Sequence, residues 1–247
     1  MGNSYPIIKL DATGSTNDYL RNILSDENHE DYTVVVAENQ FAGRGQMGNS
    51  WVSESGKNLT FSFLKKELAI EASNHFILNM AVSLALYDAL AHMEVPNLSI
   101  KWPNDIMSGD SKICGILIEN LLSGAHLRYS IIGIGLNVNQ TNFGNLPQVS
   151  SLVNLTGNEF NLLELLATLM RQLQSRLDQL SNHSFLGLQE EYERRLFRRG
   201  QMSNFIDPEG QKFKGTIQGI APTGQLQLRL EDETLKNYDF KMLRLVL

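Results

Sequence analysis

Five stretches of this chain gather residue types that can do chemistry. The first runs from Ala37 to Trp51 and carries glycines at 43, 45 and 48. Glycine lets a backbone take positive φ and approach a ligand closely, and successive exposed N–H groups can surround an anion. Arg44 adds a fixed fork of donors suited to carboxylate or phosphate, and Trp51 a flat apolar face. The spacing is neither a P-loop nor a dinucleotide fingerprint. On this evidence alone a plain surface loop stays open.

Four further stretches add to it. Ser15-Thr16-Asn17 precedes a helical pattern and is either a simple N-cap or a set of small polar groups offered to a ligand at a helix start. Lys101-Trp102-Pro103-Asn104-Asp105 ends a short strand; Asn104 and Asp105 suit either an Asx-type turn or a hydrated Mg²⁺ beside phosphates. Lys112 opens an apolar strand to Glu119 and, as a single lysine, reads as a solvated turn residue. Gly133 and Gly135 lie inside another strand, which signals close approach by a ligand or backbone, or a bulge.

The elements that must position these groups follow from periodicity. Ile7–Leu10, Tyr32–Glu38, Leu59–Phe63, Leu98–Trp102, Lys112–Glu119 and Leu127–Asn139 read as strands. Apolar residues at helical spacing mark helices over 71–93, from Leu162 to about 180 (with Asn161 and Glu164 as a capping box), and over Phe185–Phe197. Residues 140–151 read as a mobile loop. From Gly200 onward short strands and turns imply a small all-β module. The fold class is therefore α+β: a mixed-sheet domain with packed helices over 1–197, then a β-barrel-like module over 198–247.

Composition narrows the function. At 247 residues and 42% hydrophobic content, a sizeable core is available. A net charge of −6 argues against a general nucleic-acid binder. The one cysteine, Cys114, excludes an internal disulfide and a zinc-finger site; it reads as a core residue, consistent with a reducing compartment. Met1–Leu10 is not a signal peptide, and no apolar run reaches spanning length, so a soluble cytoplasmic protein with no membrane partner is expected.

Taken in order, the motifs Gly43-Arg44-Gly45-Gln46-Met47-Gly48 with Trp51, Lys101–Asp105, Lys112–Glu119 and Gly133–Asn139 resemble those of the biotin protein ligases, across essentially the whole chain. The resemblance implies a ligase that joins biotin to ATP as biotinyl-5′-AMP and transfers biotin to a lysine of a carboxylase's biotin carboxyl carrier domain. By the same resemblance Ser15, Thr16, Asn17, Gln40, Gly43, Arg44, Gly45, Gln46, Lys112, Gly115, Gly133 and Gly135 bind biotin. Arg44, Trp51, Asn104, Lys112 and Asn137 bind ATP, Asp105 holds Mg²⁺, and Lys112 and Arg44 are catalytic. The 140–151 loop is expected to order over the adenylate.

The chain departs from the family pattern where Gln46, Met47 and Asn49 replace residues that are often basic, which leaves Arg44, Lys112 and Mg²⁺ to neutralise phosphate. The biotin-site residues begin at 15, so the short form without an N-terminal DNA-binding domain, and no DNA partner, are expected. A strand near 126–139, taken as an edge, would pair across a homodimer. Two other readings are a lipoate or octanoate ligase, whose pocket would be an apolar tunnel, and a non-catalytic biotin sensor, which would not need Lys112, Asp105 and Trp51 together.

Overall fold

The computed structural model describes residues 5–24, 29–66, 68, 70–180 and 185–247. Seven strands form one mixed sheet: β1 (Ile7–Thr13), β2 (Val34–Gln40), β3 (Leu59–Lys66), β4 (Leu98–Lys101), β5 (Asp105–Ser108), β6 (Ser111–Ser123) and β7 (His126–Leu136), in the order β1-β2-β3-β7-β6-β5-β4. Only β1 and β2 are parallel. A parallel pair needs a crossover, and helix α1 (Thr16–Ile23) supplies it. Its Leu20 packs on Val35, Leu64 and Ile131, which fixes the start of α1 over the middle of the sheet.

The other face carries the main core. Helix α2 (Phe76–His92) is buried on every turn, because the sheet covers one side and helices α4 (Leu162–Asp178) and α5 (Phe185–Arg194) cover the other. A short helix α3 (Leu152–Thr156) precedes α4. The expected helix over 71–93 begins at 76, since 72–74 form a separate 3₁₀ turn. Asn161 caps α4, its Oδ1 accepting from Leu163 N at 3.0 Å and Glu164 N at 3.3 Å. Arg176, Asp88, Glu191 and Arg195 interlock α2, α4 and α5.

One expectation is overturned. The strand near 126–139 is not an edge: β7 lies between β3 and β6 and is hydrogen-bonded to both, so it offers no free ladder to a second copy. Sheet order, which no local pattern encodes, decides this. The register also removes the bulge at Gly133 and Gly135. Gly133 faces Ser62 and Leu117, Gly135 faces Thr60 and Gly115, and the irregularity in this pairing falls at Leu121/Leu122 instead.

The C-terminal module is an antiparallel sheet of β8 (Met202–Ile206), β9 (Lys212–Ile220), β10 (Leu226–Leu230), β11 (Leu235–Tyr238) and β12 (Arg244–Leu245), in the order β11-β10-β9-β8-β12. Among the described residues β11 and β12 are the two ends of this order and do not pair with each other. The module is fastened to the large sheet's helices and turns. Trp102 Nε1 donates to Gly224 O at 2.9 Å, Ile220 N donates to Glu193 Oε1 at 2.9 Å, and Gln189 Nε2 donates to Ile220 O at 2.6 Å.

Candidate active site

The start of α1, the glycine loop and the middle of β6 and β7 meet over one face of the sheet. Ser15 is the N-cap of α1, its Oγ accepting from Asp18 N at 3.4 Å, and its side chain also lines the cavity beneath. Cap and cavity wall are one residue. Thr16 donates from N at 2.7 Å and from Oγ1 at 3.1 Å to Gln40 Oε1 at the end of β2. Ser62 on β3 lies 2.7 Å from Thr16 Oγ1 and 2.5 Å from Asn17 Oδ1; its single proton serves one of them at a time. Ser15, Thr16, Asn17 and Ser62 are all buried.

The floor is made of glycines with a reason to be glycine. A Cβ on Gly133 would strike Asn17 Oδ1, and one on Gly135 would run into the Trp51 indole, 2.6 Å from Cζ2. Gly115, beside Gly135 in register, sits against Trp51 and Lys112 in the same way. The bare backbone therefore makes a slot that seats the indole. Trp51 Nε1 is buried there with no hydrogen-bond partner among the described residues, a donor whose desolvation is uncompensated until something fills the cleft. Gly43 is confined by the Trp51 carbonyl, whose own N donates to Gly43 O at 2.9 Å. Only Gly48 of the loop's glycines uses positive φ, at 77°.

The cations are held in pairs. Lys112 Nζ lies 2.6 Å from Asp105 Oδ1 and 5.7 Å from the centre of a Trp51 ring. Arg44 lines the cavity, but its guanidinium donates to Asp18 Oδ1 at 2.6 Å and Glu119 Oε2 at 3.1 Å. Burial, with the charges of Lys112 and Arg198, holds the Lys101 ammonium below the usual lysine value against the pull of Asp105. Burial pushes the Cys114 thiol up, which fits an inert core residue.

This small cavity opens into a second of about 670 Å³, between the glycine loop, the Lys101–Asp105 turn and the C-terminal module. Gly45, Gln46, Trp51, Asn104 and Lys112 line both. Phe240, Lys241 and Arg244 form the far wall of the larger one, and no sequence pattern signalled them. Asn104 is fixed by its backbone partner: its Nδ2 donates to Ile116 O at 2.5 Å.

Of the expected site residues, Ser15, Thr16, Asn17, Gln40, Arg44, Gly45, Gln46, Trp51, Asn104, Lys112, Gly115, Gly133 and Gly135 line the small cavity, and Asp105 the larger. Gly43 and Asn137 line neither. Asn137 is buried at the end of β7, its Nδ2 donating to Ser150 O at 3.0 Å. It ties down the 140–151 segment, which is also bonded to Lys112 at both sides: Lys112 N donates to Gln148 O at 2.7 Å and Ser150 N to Lys112 O at 3.1 Å. Ser62, Asp18 and Glu119 were missed because each is defined by partners distant in sequence.

Residues 10–137 match the biotin/lipoate A/B protein ligase family, and residues 200–240 match the biotin protein ligase C terminal domain. Among similar proteins are the biotin–acetyl-CoA-carboxylase ligases of Paracoccus denitrificans, 32% identical over 207 residues covering 79% of this chain and 83% of that one, and of Mycobacterium tuberculosis, 29% identical over 226 residues covering 90% and 83%. The fold is similar to the biotin protein ligase from Aquifex aeolicus in complex with biotin and ATP, with a TM-score of 0.81 at 27% identity and 98% of each chain covered. A polar pocket over a glycine floor, a lysine where it joins a larger cleft, and a matching C-terminal module all agree: the chain belongs to the biotin/lipoate A/B protein ligase family, among its biotin protein ligases.

Proposed function

We propose that the small cavity takes biotin and the larger one ATP, with the reaction centred on Lys112. Biotin's carboxylate attacks the α-phosphorus, pyrophosphate leaves, and biotinyl-5′-AMP forms. The ε-amine of a lysine on a carboxylase's biotin carboxyl carrier domain then attacks the acyl carbon, and AMP leaves as the amide forms. No covalent enzyme intermediate is needed, so the protein's work is positioning and charge stabilisation. The observation that carries this reading is the place of Lys112: it lines both cavities at their junction, where carboxylate and α-phosphate must meet.

Ser15, Thr16, Asn17 and Gln40 supply donors and acceptors for the ureido ring, Gly133 leaves room for the bicycle beside Asn17, and Gly115 and Gly135 seat the Trp51 indole. Backbone of Gly45 and Gln46 covers the acyl end. Trp51 and Asn104 face the nucleotide, and Asn137 acts on it indirectly through the 140–151 segment. Asp105 is suited to a metal that arrives with ATP: among the described residues no group of three or more His, Cys, Asp or Glu could hold an ion, and Mg²⁺ is commonly bound by one or two carboxylates with substrate phosphates and water. Bound there, Mg²⁺ would supply neutralisation of phosphate charge. Lys112, released from Asp105, would then face the reacting oxygens.

The division of labour follows the two sheets, with a boundary at 197/198 and the second module walling the nucleotide side. Among the described residues no helix is long and apolar enough to cross a membrane, and a cytoplasmic site of action fits the ATP-dependent reaction. The test is biotin-dependent ATP–pyrophosphate exchange, with lipoate and octanoate in parallel. Exchange with biotin alone is expected. Exchange with lipoate or octanoate but not biotin, or none with any acid, would overturn the reading.

A further inference from the structure

Glu119 ends the strand motif that Lys112 begins, and the reaction above gives it no task. It stands on β6 on the same face as Gly115 and Leu117, just beyond the cavity they line. Its Oε2 accepts from Asn17 Nδ2 at 2.7 Å, its Oε1 pairs with Arg21 Nη2 at 2.6 Å, and Arg44 Nη2 lies 3.2 and 3.1 Å from its two oxygens. Asp18 joins the same two arginines, at 3.1 Å from Arg21 and 2.6 Å from Arg44. Burial works to raise the Glu119 carboxyl, but hydrogen bonds from Arg21 and Asn17 and the arginine charges outweigh it and hold it below the usual carboxylate value.

The two ends of an asparagine amide are alike in shape and opposite in hydrogen bonding, so whichever end faces the cavity sets what it can bind. A carboxylate only accepts, as does the Leu117 carbonyl, 3.4 Å from the same Nδ2. Together they hold the NH₂ outward and leave Oδ1 turned inward, toward Ser62 and the bare backbone of Gly133. A ureido ring has two N–H donors that require such an acceptor. The same Glu119 carboxylate draws Arg44, and with it the glycine loop, onto α1. One side chain thus reaches both the ring end of the site and the loop that covers the acyl end.

We propose that Glu119 is a positioning residue for biotin, orienting Asn17 as an acceptor and latching the glycine loop through Arg44 without touching the substrate. This rests on the assignment of the small cavity to biotin. The experiment is pyrophosphate exchange with biotin and ATP varied separately, alongside the escape rate of preformed biotinyl-5′-AMP. Glu119→Ala is expected to raise the biotin KM by about tenfold, the scale of a hydrogen bond to a charged group, with the ATP KM within about twofold of wild type. Glu119→Gln keeps an acceptor for Asn17 but not the charge: it recovers most of the biotin KM while the adenylate still escapes fast. Asn17→Ala added to Glu119→Ala should raise the biotin KM by less than about twofold more, because both act through one amide.

The proposal is overturned if Glu119→Ala leaves the biotin KM unchanged, if it moves both KM values equally along with the thermal midpoint, or if the two substitutions multiply. Should Glu119→Ala fail to fold, Glu119→Gln carries the test: an adenylate escape rate unchanged from wild type in Glu119→Gln would overturn the proposal. A wild-type protein that exchanges nothing with biotin removes the parent reading as well; one that exchanges with biotin while Glu119→Ala matches it removes this inference alone.

Discussion

Gly135→Ala tests the nucleotide side at its tightest point. The new Cβ would sit 2.6 Å from Trp51 Cζ2 and 2.8 Å from Cδ2, against an ordinary carbon–carbon separation of about 3.5–4.0 Å. Gly135 lies in an interior strand bonded to both neighbours, so the floor does not give and the indole must move, by roughly 1 Å. A shift of that size at a positioning group costs roughly 10²-fold, about 2.7 kcal/mol, which falls within the ~1–3 kcal/mol typical of overpacking. The expected outcome is a loss of that order in kcat/KM for ATP in pyrophosphate exchange at saturating biotin. Trp51→Phe in the same background removes the obstructing ring and should restore part of the loss. The reasoning is refuted if Gly135→Ala stays within about threefold of wild type toward ATP, if the biotin KM moves by as much, or if Trp51→Phe brings no recovery.

Gly133→Ala should do the opposite, since its Cβ meets the Asn17 amide: biotin KM rises about tenfold or more, and ATP KM stays near wild type in the same assay. Lys112→Ala removes the charge at the junction of the two cavities and should lower exchange by roughly 10²–10³-fold, the range seen when one transition-state donor is deleted; a loss under about tenfold would reassign the residue. Glu191 is held below the usual carboxylate value by the Arg176 hydrogen bonds, with Arg195 adding to them. Its lowered pKa contributes stability above the unfolded value of about 4.3 that is lost as pH falls through the folded value, so stability falls more steeply with pH in wild type than in Glu191→Gln. Equal slopes of urea midpoint against pH would refute this.

Most of the site was legible because its information is local. Ser15 reads as a cap from two neighbouring features, and the glycines at 133 and 135 signal close approach by what they lack. What approaches was not legible: at Gly135 it is the indole of Trp51, more than 80 residues earlier in the chain, and at Gly133 the amide of Asn17. The order of strands was hidden for the same reason. An apolar run such as Leu127–Leu136 satisfies an edge or an interior place equally until its neighbours are known, and β3 and β6 take both sides. Arg44 is the instructive case. Its residue type predicts an anion partner, and its guanidinium meets Asp18 and Glu119 of the chain itself, at positions no local pattern encodes. Lys241 and Arg244 come to the larger cleft because Trp102 and Glu193 fasten the second module there.

These orientations bear on which acid the cleft accepts. Gln40 spends Oε1 on Thr16, so Nε2 is the end it has left to donate. Asn17 spends Nδ2 on Glu119 and Leu117, so Oδ1 is the end it has left to accept. A donor and an acceptor therefore stand ready at a largely buried wall, matching the carbonyl and N–H groups of a ureido ring. A lipoyl or octanoyl chain would cover Gln40 Nε2 and give it no acceptor, while Asn17 Oδ1 would keep Ser62 as its donor at 2.5 Å. Leaving one covered polar group unpaired costs about 1–3 kcal/mol, or roughly fivefold to 150-fold in relative affinity. Exchange measured with biotin and octanoate at equal concentration should therefore favour biotin by at least about fivefold, and Gln40→Leu, which removes the donor, should narrow the ratio by about as much. A wild-type preference below about fivefold, or a ratio unmoved in Gln40→Leu, would mean that the walls of the acyl channel, and not these oriented amides, choose the substrate.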